Sequence, residues 1–309
     1  MTTPLIVPPY LQPGDTVGVL APASKVHYED CLPGLQIMRD KWQLDIIECP
    51  TLWGDYYQYS GTDQQRQHDL QALLDNPDVK AILAARGGYG CSRIVDGLDF
   101  TAFAKSPKWL VGFSDLTALL AHLGTLGYAS IHGPMVKTMA HEGGEQALES
   151  LRKALYGENL NYSISGHLLN RSGTCHGVVK GGNLCLLAHL VGSRSSVNTE
   201  GAILFLEDIN EYLYNIDRMM IQLKRAGMLQ NLAGLIVGQF TDVRDNADPA
   251  FGKAAYEIIA DHTEQYDFPI CFDFPVGHVP DNRALPVSMM ATLEVGTSSA
   301  TVRYDTINA

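Results

Sequence analysis

A serine stands where the sequence predicts a sharp change from strand to helix. The apolar segment Trp109–Gly112 is typical of a buried strand, Ser114 follows it, and residues 116–126 are typical of a helix. Such a turn exposes a hydroxyl, and the first helical N–H groups, here that of Asp115, can hold an oxyanion. The alternative is that Ser114 only caps the helix. This segment alone favours the cap, because Leu116 replaces the second glycine of Gly-x-Ser-x-Gly.

A glycine-rich segment, Arg-Gly-Gly-Tyr-Gly at residues 86–90, follows the apolar strand segment Val79–Ala84. Glycine lets the backbone approach a ligand closely, so we expect the N–H of Gly88 to be the second oxyanion donor. Phosphate binding is a competing interpretation, but the spacing fits neither Gly-x-Gly-x-x-Gly nor a P-loop with its lysine. A plain glycine-rich turn is the remaining alternative.

An acidic pair, Glu207 and Asp208, ends a third apolar run. A carboxylate at the end of a buried strand is costly unless it is paired. A histidine would pair with Glu207 and would itself be oriented as a catalytic triad requires. The alternative is that either residue caps the following helix, which is the favoured interpretation for Asp208 and an open one for Glu207.

His278 lies in a rigid loop bounded by Gly277 and by Pro275 and Pro280. Imidazole titrates near neutral pH and is the usual general base for a serine nucleophile. His132, followed by glycine and proline, is the second candidate, and a surface role is the alternative for both. The chain order of serine, acid and histidine occurs in several unrelated hydrolases.

The elements that must position these residues alternate between strand and helix in the first half. Apolar runs predict strands at residues 16–20, 44–47, 79–84 and 109–112, and leucine spacing predicts a helix over residues 63–76. This order predicts an α/β fold with a parallel sheet covered on both faces.

The second half has a different pattern, with strands at residues 177–180, 202–206 and 235–237, helices at 184–190 and 209–226, and a terminal hairpin around Gly296. Polar residues 156–175 are predicted to be a linker. We therefore expect a nucleophile-bearing domain at 1–155, a mixed α/β domain with the acid and the histidine at 176–309, and a catalytic groove between them.

Bulk composition excludes several classes of protein. The 309-residue chain carries a net charge of −12, which disfavours nucleic acid as a partner. None of its six cysteines is spaced as Cys-x-x-Cys, which argues against zinc-ribbon and redox motifs and for a reducing compartment. No run is apolar enough to span a membrane, and residues 1–15 do not read as a secretory signal. These features predict a cytoplasmic protein.

Taken together, the motifs resemble the LD-carboxypeptidases, serine peptidases of murein recycling. The segments that carry the resemblance lie, in order, at residues 85–90, 112–115, 181–184, 206–211 and 277–278. The resemblance implies a triad of Ser114, Glu207 and His278, and a first domain like that of class I glutamine amidotransferases. It also implies removal of the terminal D-alanine from murein tetrapeptides, homodimers, and no metal or organic cofactor.

Substrate contacts are predicted within the same segments. An exopeptidase must recognise a free carboxylate, and the guanidinium of Arg86 can bind one with two hydrogen bonds. The alternative is that Arg86 pairs with an internal acid. Tyr89 and Asn183 are the other predicted substrate-binding residues.

Three alternatives remain open. The same superfamily includes self-immunity peptidases that inactivate microcin C-type aminoacyl nucleotides with the same triad. Their extra aromatic loop for the base has no counterpart between Gly182 and Glu207, which favours the carboxypeptidase. A metal-dependent amidase could use His132 and His278, although no His-Glu-x-x-His spacing supports it. A binding protein without catalysis is the third possibility.

Overall fold

The computed structural model describes residues 5–305. The chain forms two compact units. The first extends to Glu158 and includes the later segment Pro280–Pro286, while the second comprises Asn159–Val279 and continues from Val287. No helix within the described residues is both long and apolar enough to cross a bilayer.

The described residues form the following strands and α-helices. The strands are β1 (Thr16–Leu20), β2 (Asp45–Glu48), β3 (Val79–Ala84), β4 (Trp109–Gly112), β5 (Ser130–His132), β6 (Asn161–Ser165), β7 (Gly173–Asn183), β8 (Ala202–Ile209), β9 (Gly234–Thr241), β10 (Ile270–Cys271), β11 (Leu285–Val287), β12 (Met290–Val295) and β13 (Ser299–Tyr304). The α-helices are α1 (Tyr28–Gln36), α2 (Asp63–Asp75), α3 (Cys91–Ile94), α4 (Thr117–Thr125), α5 (Glu145–Tyr156), α6 (Leu184–Leu190), α7 (Leu213–Arg225) and α8 (Ala255–Thr263).

The first unit is built on a six-stranded sheet in the order β11-β5-β4-β3-β1-β2. Its neighbours from β5 to β2 are all parallel. Strands β3 and β4 are buried along almost their whole length, as expected for a parallel sheet covered on both faces. The predicted α/β fold is therefore confirmed. The carboxyl ends of parallel strands meet at one edge, so the loops after β1, β2, β3 and β4 share that edge.

The second unit contains a seven-stranded sheet in the order β10-β9-β8-β7-β12-β13-β6. Strands β7 to β10 are parallel, whereas β12, β13 and β6 continue the sheet antiparallel. Helices α6, α7 and α8 contribute Leu187, Ile216, Met220 and Ile259 to one apolar core with β8 and β9. This core fixes β8, the strand that carries the acidic pair.

Two predicted boundaries differ from the structure. Residues 156–175 were expected to be a linker, yet β6 lies within them and pairs with β13. Its edge position explains the polar composition, because Tyr162 is buried while the residues on either side of it are exposed. Residues 280–286 were assigned to the second domain but belong to the first unit, where Ala284 donates its N–H to Ser150 Oγ (2.8 Å).

Arg66 on α2 holds three loops at the carboxyl edge of the first sheet. Its side chain is fully buried, and Nη1 donates to the carbonyls of Pro22 (2.7 Å) and Gly90 (3.0 Å). Nε donates to the carbonyl of Gly61 (3.3 Å). A buried guanidinium with several acceptors fixes geometry because no other side chain offers as many donors in one plane. Arg66 therefore couples the loops after β1 and β3, including the glycine-rich segment.

We expect Arg66→Met to lower the free energy of unfolding by about 3 kcal/mol, because the buried carbonyls lose their donors. Arg93→Met is the matched control. Arg93 also binds Asp63 and lies over the Tyr59 ring, as Arg66 does, but its side chain is 46% exposed. Urea denaturation should show a large loss for Arg66→Met and little change for Arg93→Met. Equal losses would contradict the assigned role.

Candidate active site

Ser114 occupies a strained backbone position at the end of β4. Its φ is +63°, an uncommon value for a residue other than glycine. A 3₁₀ turn, Ser114–Leu116, starts there and leads directly into α4, and neither helix has a capping side-chain hydrogen bond. A Cβ on Gly112 would lie 2.6 Å from Leu116 Cγ, so the turn needs glycine before it. Backbone strain of this kind is typical of functional sites.

The glycine-rich loop packs directly against this turn. A Cβ on Gly87 would lie 3.2 Å from Ser114 Cβ. Gly88 has a φ of +100°, and a Cβ there would lie 2.2 Å from Ser24 Oγ. Ser24 holds the loop, because its hydroxyl accepts the N–H of Tyr89 (3.1 Å) and its own N–H donates to the carbonyl of Gly87 (3.1 Å). The sequence reasoning missed Ser24, although its place in Ala-Pro-Ala-Ser after β1 was a usable signal.

Asp115 links the serine turn to the residues that follow the glycine-rich loop. Its side chain is buried, and Oδ2 accepts the N–H of Cys91 (2.8 Å) at the start of α3. Burial raises the pKa of Asp115, and the hydrogen bond from Cys91 opposes that rise. The side chain thus positions the turn, while the predicted oxyanion role concerns only the backbone N–H.

Glu207 and His278 meet in the second unit. Glu207 lies on β8 with its side chain fully buried, and its Oε2 is 2.7 Å from His278 Nδ1. Its other oxygen, Oε1, has no hydrogen-bond partner within residues 5–305. Gly277 has a φ of +123°, and a Cβ there would lie 2.9 Å from Glu207 Cβ. Only glycine before His278 therefore allows the loop to come this close.

The environment of the pair favours a protonated imidazole. Burial by itself would lower the pKa of His278, but the hydrogen bond and negative charge of Glu207 outweigh it and the net pKa is raised. When the ring is neutral and Nδ1 donates to Glu207, Nε2 is the proton-accepting nitrogen. A carboxylate in this position fixes the tautomer and stabilises the imidazolium form, as a triad acid does.

Asp208 and Asn183 form a separate buried arrangement beside the pair. Asp208 accepts hydrogen bonds from Asn183 Nδ2 (2.8 Å) and from the N–H groups of Cys185 (2.9 Å) and Ile209 (2.8 Å). Burial and the charge of Glu207 raise the pKa of Asp208 to about 7. Asn183 Oδ1 also accepts the N–H of Leu186 and caps α6. Asp208 therefore caps α6, whereas the sequence predicted that it would cap the helix that follows β8.

The remaining candidate residues have different surroundings. Arg86 is exposed, and its Nη1 donates to the carbonyl of Lys25 (2.8 Å) with no ion pair to an acid within residues 5–305. Tyr89 is exposed near Tyr59. His132 is fully buried against Phe113, which does not suit a base that must reach a substrate. The roles of Arg86, Tyr89 and Asn183 in substrate binding stay predictions.

No three histidine, cysteine, aspartate or glutamate side chains of residues 5–305 are grouped as metal ligands. A strained serine beside a glycine-rich loop, together with a buried carboxylate–imidazole pair, provides the parts that a serine peptidase needs. Residues 17–133 match the model of the LD-carboxypeptidase N-terminal domain, and residues 176–293 match that of the LD-carboxypeptidase C-terminal domain. The chain belongs to the LD-carboxypeptidase family.

The relatives include murein carboxypeptidases and a microcin self-immunity protein. The murein tetrapeptide carboxypeptidase of Pseudomonas aeruginosa is 33% identical over 77% of this chain and 80% of its own. The microcin C7 self-immunity protein MccF of Escherichia coli is 25% identical over 94% and 93%, respectively. The solved muramoyltetrapeptide carboxypeptidase of Oxalobacter formigenes superposes with a TM-score of 0.85 at 25% identity, covering 95% of this chain and all of that one.

We expect Glu207→Gln to lower the pKa of His278, because the charge that offsets burial is removed. NMR titration of the His278 ring measures this shift. In the wild type the raised pKa stabilises the folded state fully below the unfolded value of about 6.5, and this contribution is lost as the pH rises through the folded pKa. Glu207→Gln should abolish it.

Asp217→Asn is the control for this titration. Asp217 lies 2.7 Å from His262 in the same unit and forms a comparable pair. Its substitution should leave the His278 titration as in the wild type. An unchanged pKa for His278 in Glu207→Gln would contradict the assigned electrostatics.

Proposed function

We propose that the protein is a serine carboxypeptidase that removes the terminal D-alanine from murein tetrapeptides. The bond cleaved joins an L-configured centre to the D-residue. The observation that carries this proposal is the 2.7 Å contact between buried Glu207 and His278 Nδ1. Outside a proton-transfer role, a fully buried carboxylate bound to a single imidazole is a costly arrangement.

Ser114, His278 and Glu207 act in this proposal as one triad. The neutral His278 accepts the hydroxyl proton of Ser114 as the oxygen attacks the carbonyl of the penultimate residue. His278 then gives that proton to the nitrogen of D-alanine, which leaves, and water hydrolyses the acyl-enzyme by the reverse sequence. Glu207 holds the ring and balances its charge.

The N–H groups of Gly88 and Asp115 hold the oxyanion in this scheme. Support comes from the first unit, where the loop of Gly87 packs on Ser114 and Ser24 fixes the peptide after Gly88. Arg86 precedes these glycines, so its exposed guanidinium is suited to the free carboxylate of the substrate. Tyr89 and Asn183 complete the proposed substrate-binding residues. The proposal also includes a cytoplasmic location and a homodimer, as the family resemblance implies.

The self-immunity reaction on aminoacyl nucleotides is the second candidate, and similarity to MccF along almost the whole chain is the observation that favours it. The two candidates share the triad and differ in the leaving group. Assays with the two kinds of substrate distinguish these candidates, whereas substitution of Ser114 would inactivate both.

We expect Ser114→Ala to reduce D-alanine release by at least about 1,000-fold, because no other group supplies the attacking oxygen. Ser106→Ala is the control, since Ser106 precedes the same strand and its hydroxyl donates to the carbonyl of Pro77. Both variants should fold, as checked by circular dichroism. Turnover at the wild-type rate by Ser114→Ala would refute the mechanism.

We expect mass spectrometry to detect loss of one D-alanine from a defined tetrapeptide carrying either diaminopimelate or lysine at its third position. The corresponding tripeptide, which lacks D-alanine, should remain intact. An aminoacyl sulfamoyl adenosine is incubated in parallel, with Ser114→Ala as the blank for each substrate. Cleavage of the nucleotide compound alone would assign the protein to the second candidate function.

A further inference from the structure

The loop that runs from β10 to His278 is docked along β9. Phe274 in this loop donates its N–H to the carbonyl of Val237 (3.1 Å), and Gln239 on β9 donates its N–H to the carbonyl of Val276 (2.9 Å). The side chains of Phe274 and Val276 are buried. The position of the imidazole therefore depends on how the loop is fixed to this one strand.

Strand β9 is irregular beside Glu207. The pairing of β8 with β9 shifts there, so that Gly238 and Gln239 both lie opposite this single residue. An extra residue of this kind is a β-bulge, which redirects side chains and is frequent next to active sites. Gly238 leaves room for the loop, because a Cβ there would lie 2.5 Å from the carbonyl oxygen of Val276. The side chain of Gln239, the other residue of the bulge, reaches the loop.

The amide of Gln239 binds two successive residues of the loop. Its Nε2 donates to Asp273 Oδ1 (2.8 Å) and to the carbonyl of Phe274 (3.2 Å). The hydroxyl of Tyr256, on α8, also lies within hydrogen-bond distance of Asp273 Oδ1 (3.2 Å). The carboxylate of Asp273 thus ties the loop to both β9 and α8.

The backbone at Asp273 needs such support. Its φ is +63°, a value that aspartate adopts more readily than most residues but that still costs free energy. A strained backbone position persists only where the surrounding structure holds it. The hydrogen bonds from Gln239 and Tyr256 to the side chain provide that hold, although Asp273 itself is exposed.

The other end of the same loop bears directly on the Glu207–His278 pair. A Cβ on Gly277 would lie 3.2 Å from the carbonyl oxygen of Gln239 and 2.9 Å from Glu207 Cβ. Gln239 therefore contacts the loop at both ends, through its amide at Asp273 and through its main chain at Gly277. A shift of the loop against Gln239 would change the 2.7 Å distance between Glu207 Oε2 and His278 Nδ1.

Resting on the proposed function, we propose that Gln239 and Asp273 are positioning residues for the general base, because their amide–carboxylate hydrogen bond holds the loop where the ring of His278 meets Glu207. Tyr256 supports Asp273 from α8. These groups exchange no proton with the substrate. Loss of the hydrogen bond should therefore lower kcat and leave KM nearly unchanged, since the base moves while the substrate contacts stay in place.

The test starts with Gln239→Glu, which keeps the shape of the side chain but replaces the donor by a carboxylate that repels Asp273 and the carbonyl of Phe274. We expect kcat for a defined tetrapeptide to fall by about 100-fold, as for other misplaced catalytic groups. Gln222→Glu is the matched control. Gln222 lies on α7 in the same unit, and its amide donates to the carbonyl of Ala188 (2.7 Å). Its kcat should equal that of the wild type.

A second substitution should rescue the first. When Gln239→Glu is combined with Asp273→Asn, the amide introduced at position 273 can donate to the carboxylate introduced at position 239, and asparagine tolerates the positive φ. The double variant should recover a large part of the lost kcat, which general damage to the fold would not allow. If circular dichroism shows Gln239→Glu to be unfolded, Asp273→Gly replaces it. Glycine permits the same φ and removes only the carboxylate, so kcat should fall there too.

NMR titration of the His278 ring tests the positioning without substrate. In Gln239→Glu the raised pKa of His278 should fall, because a displaced ring loses the hydrogen bond and the charge of Glu207. The charge added at position 239 acts in the opposite direction, so a fall reports displacement of the ring.

The titration also separates this proposal from the proposed function. If the wild type hydrolyses no tetrapeptide, but the pKa of His278 falls in Gln239→Glu and recovers in the double variant, the positioning role stands and the peptidase reaction fails. The positioning role is overturned if folded Gln239→Glu keeps both the kcat and the His278 titration of the wild type, or if the double variant is no better than the single one.

Discussion

The hydrogen bond from His278 to Glu207 governs the second unit, because the carboxylate has no exposure to solvent. Removing such a charge from water costs several kcal/mol unless a partner compensates it. Here the partner comes from a loop 71 residues away in sequence, at a distance of 2.7 Å. Gly277 has a positive φ, and a Cβ there would lie only 2.9 Å from Glu207 Cβ, so the backbone before the ring depends on glycine. The sheet, the loop and the pair are thus one interdependent arrangement.

In the first unit, too, glycine positions and polar contacts shape the backbone, here around the turn at Ser114. The proposed mechanism needs a serine hydroxyl and two N–H groups close together, which requires backbone where side chains would normally fill space. Gly112 and Gly87 remove a Cβ at each contact, and Ser114 itself adopts a positive φ. Arg66 and Ser24 compensate by holding the adjoining loops through carbonyl and N–H groups. The strain at the turn is therefore supported by polar contacts that lie behind it.

The sequence predicted most of what depends on local apolar pattern. Strands β1, β3 and β4 and helix α6 have the expected bounds, because continuous burial leaves a continuous apolar run. The edge strand β6 was missed since only one of its faces is buried, and the return of residues 280–286 to the first unit leaves no local signal. Glycines that shape the backbone of the candidate site, such as Gly87 and Gly277, lie in motifs that the sequence analysis identified. Arg66 was not identified, because its partners are distant carbonyl groups, and Ser24 was overlooked although it ends the Ala-Pro-Ala-Ser segment after β1.

Glu207 and Asp208 are adjacent acids on β8, yet their surroundings give them different chemical properties. Successive side chains on a strand point to opposite faces, and both faces of β8 are buried. Glu207 therefore faces a histidine, whereas Asp208 faces the amino end of α6 and three hydrogen-bond donors. One carboxylate is compensated by a group that can exchange a proton, and the other by groups that cannot. The register of β8 against β9 shifts between Leu206 and Asp208, and the pairing resumes at Asp208. A one-residue slip of the strand would exchange the two environments, so the register of β8 determines which acid faces His278.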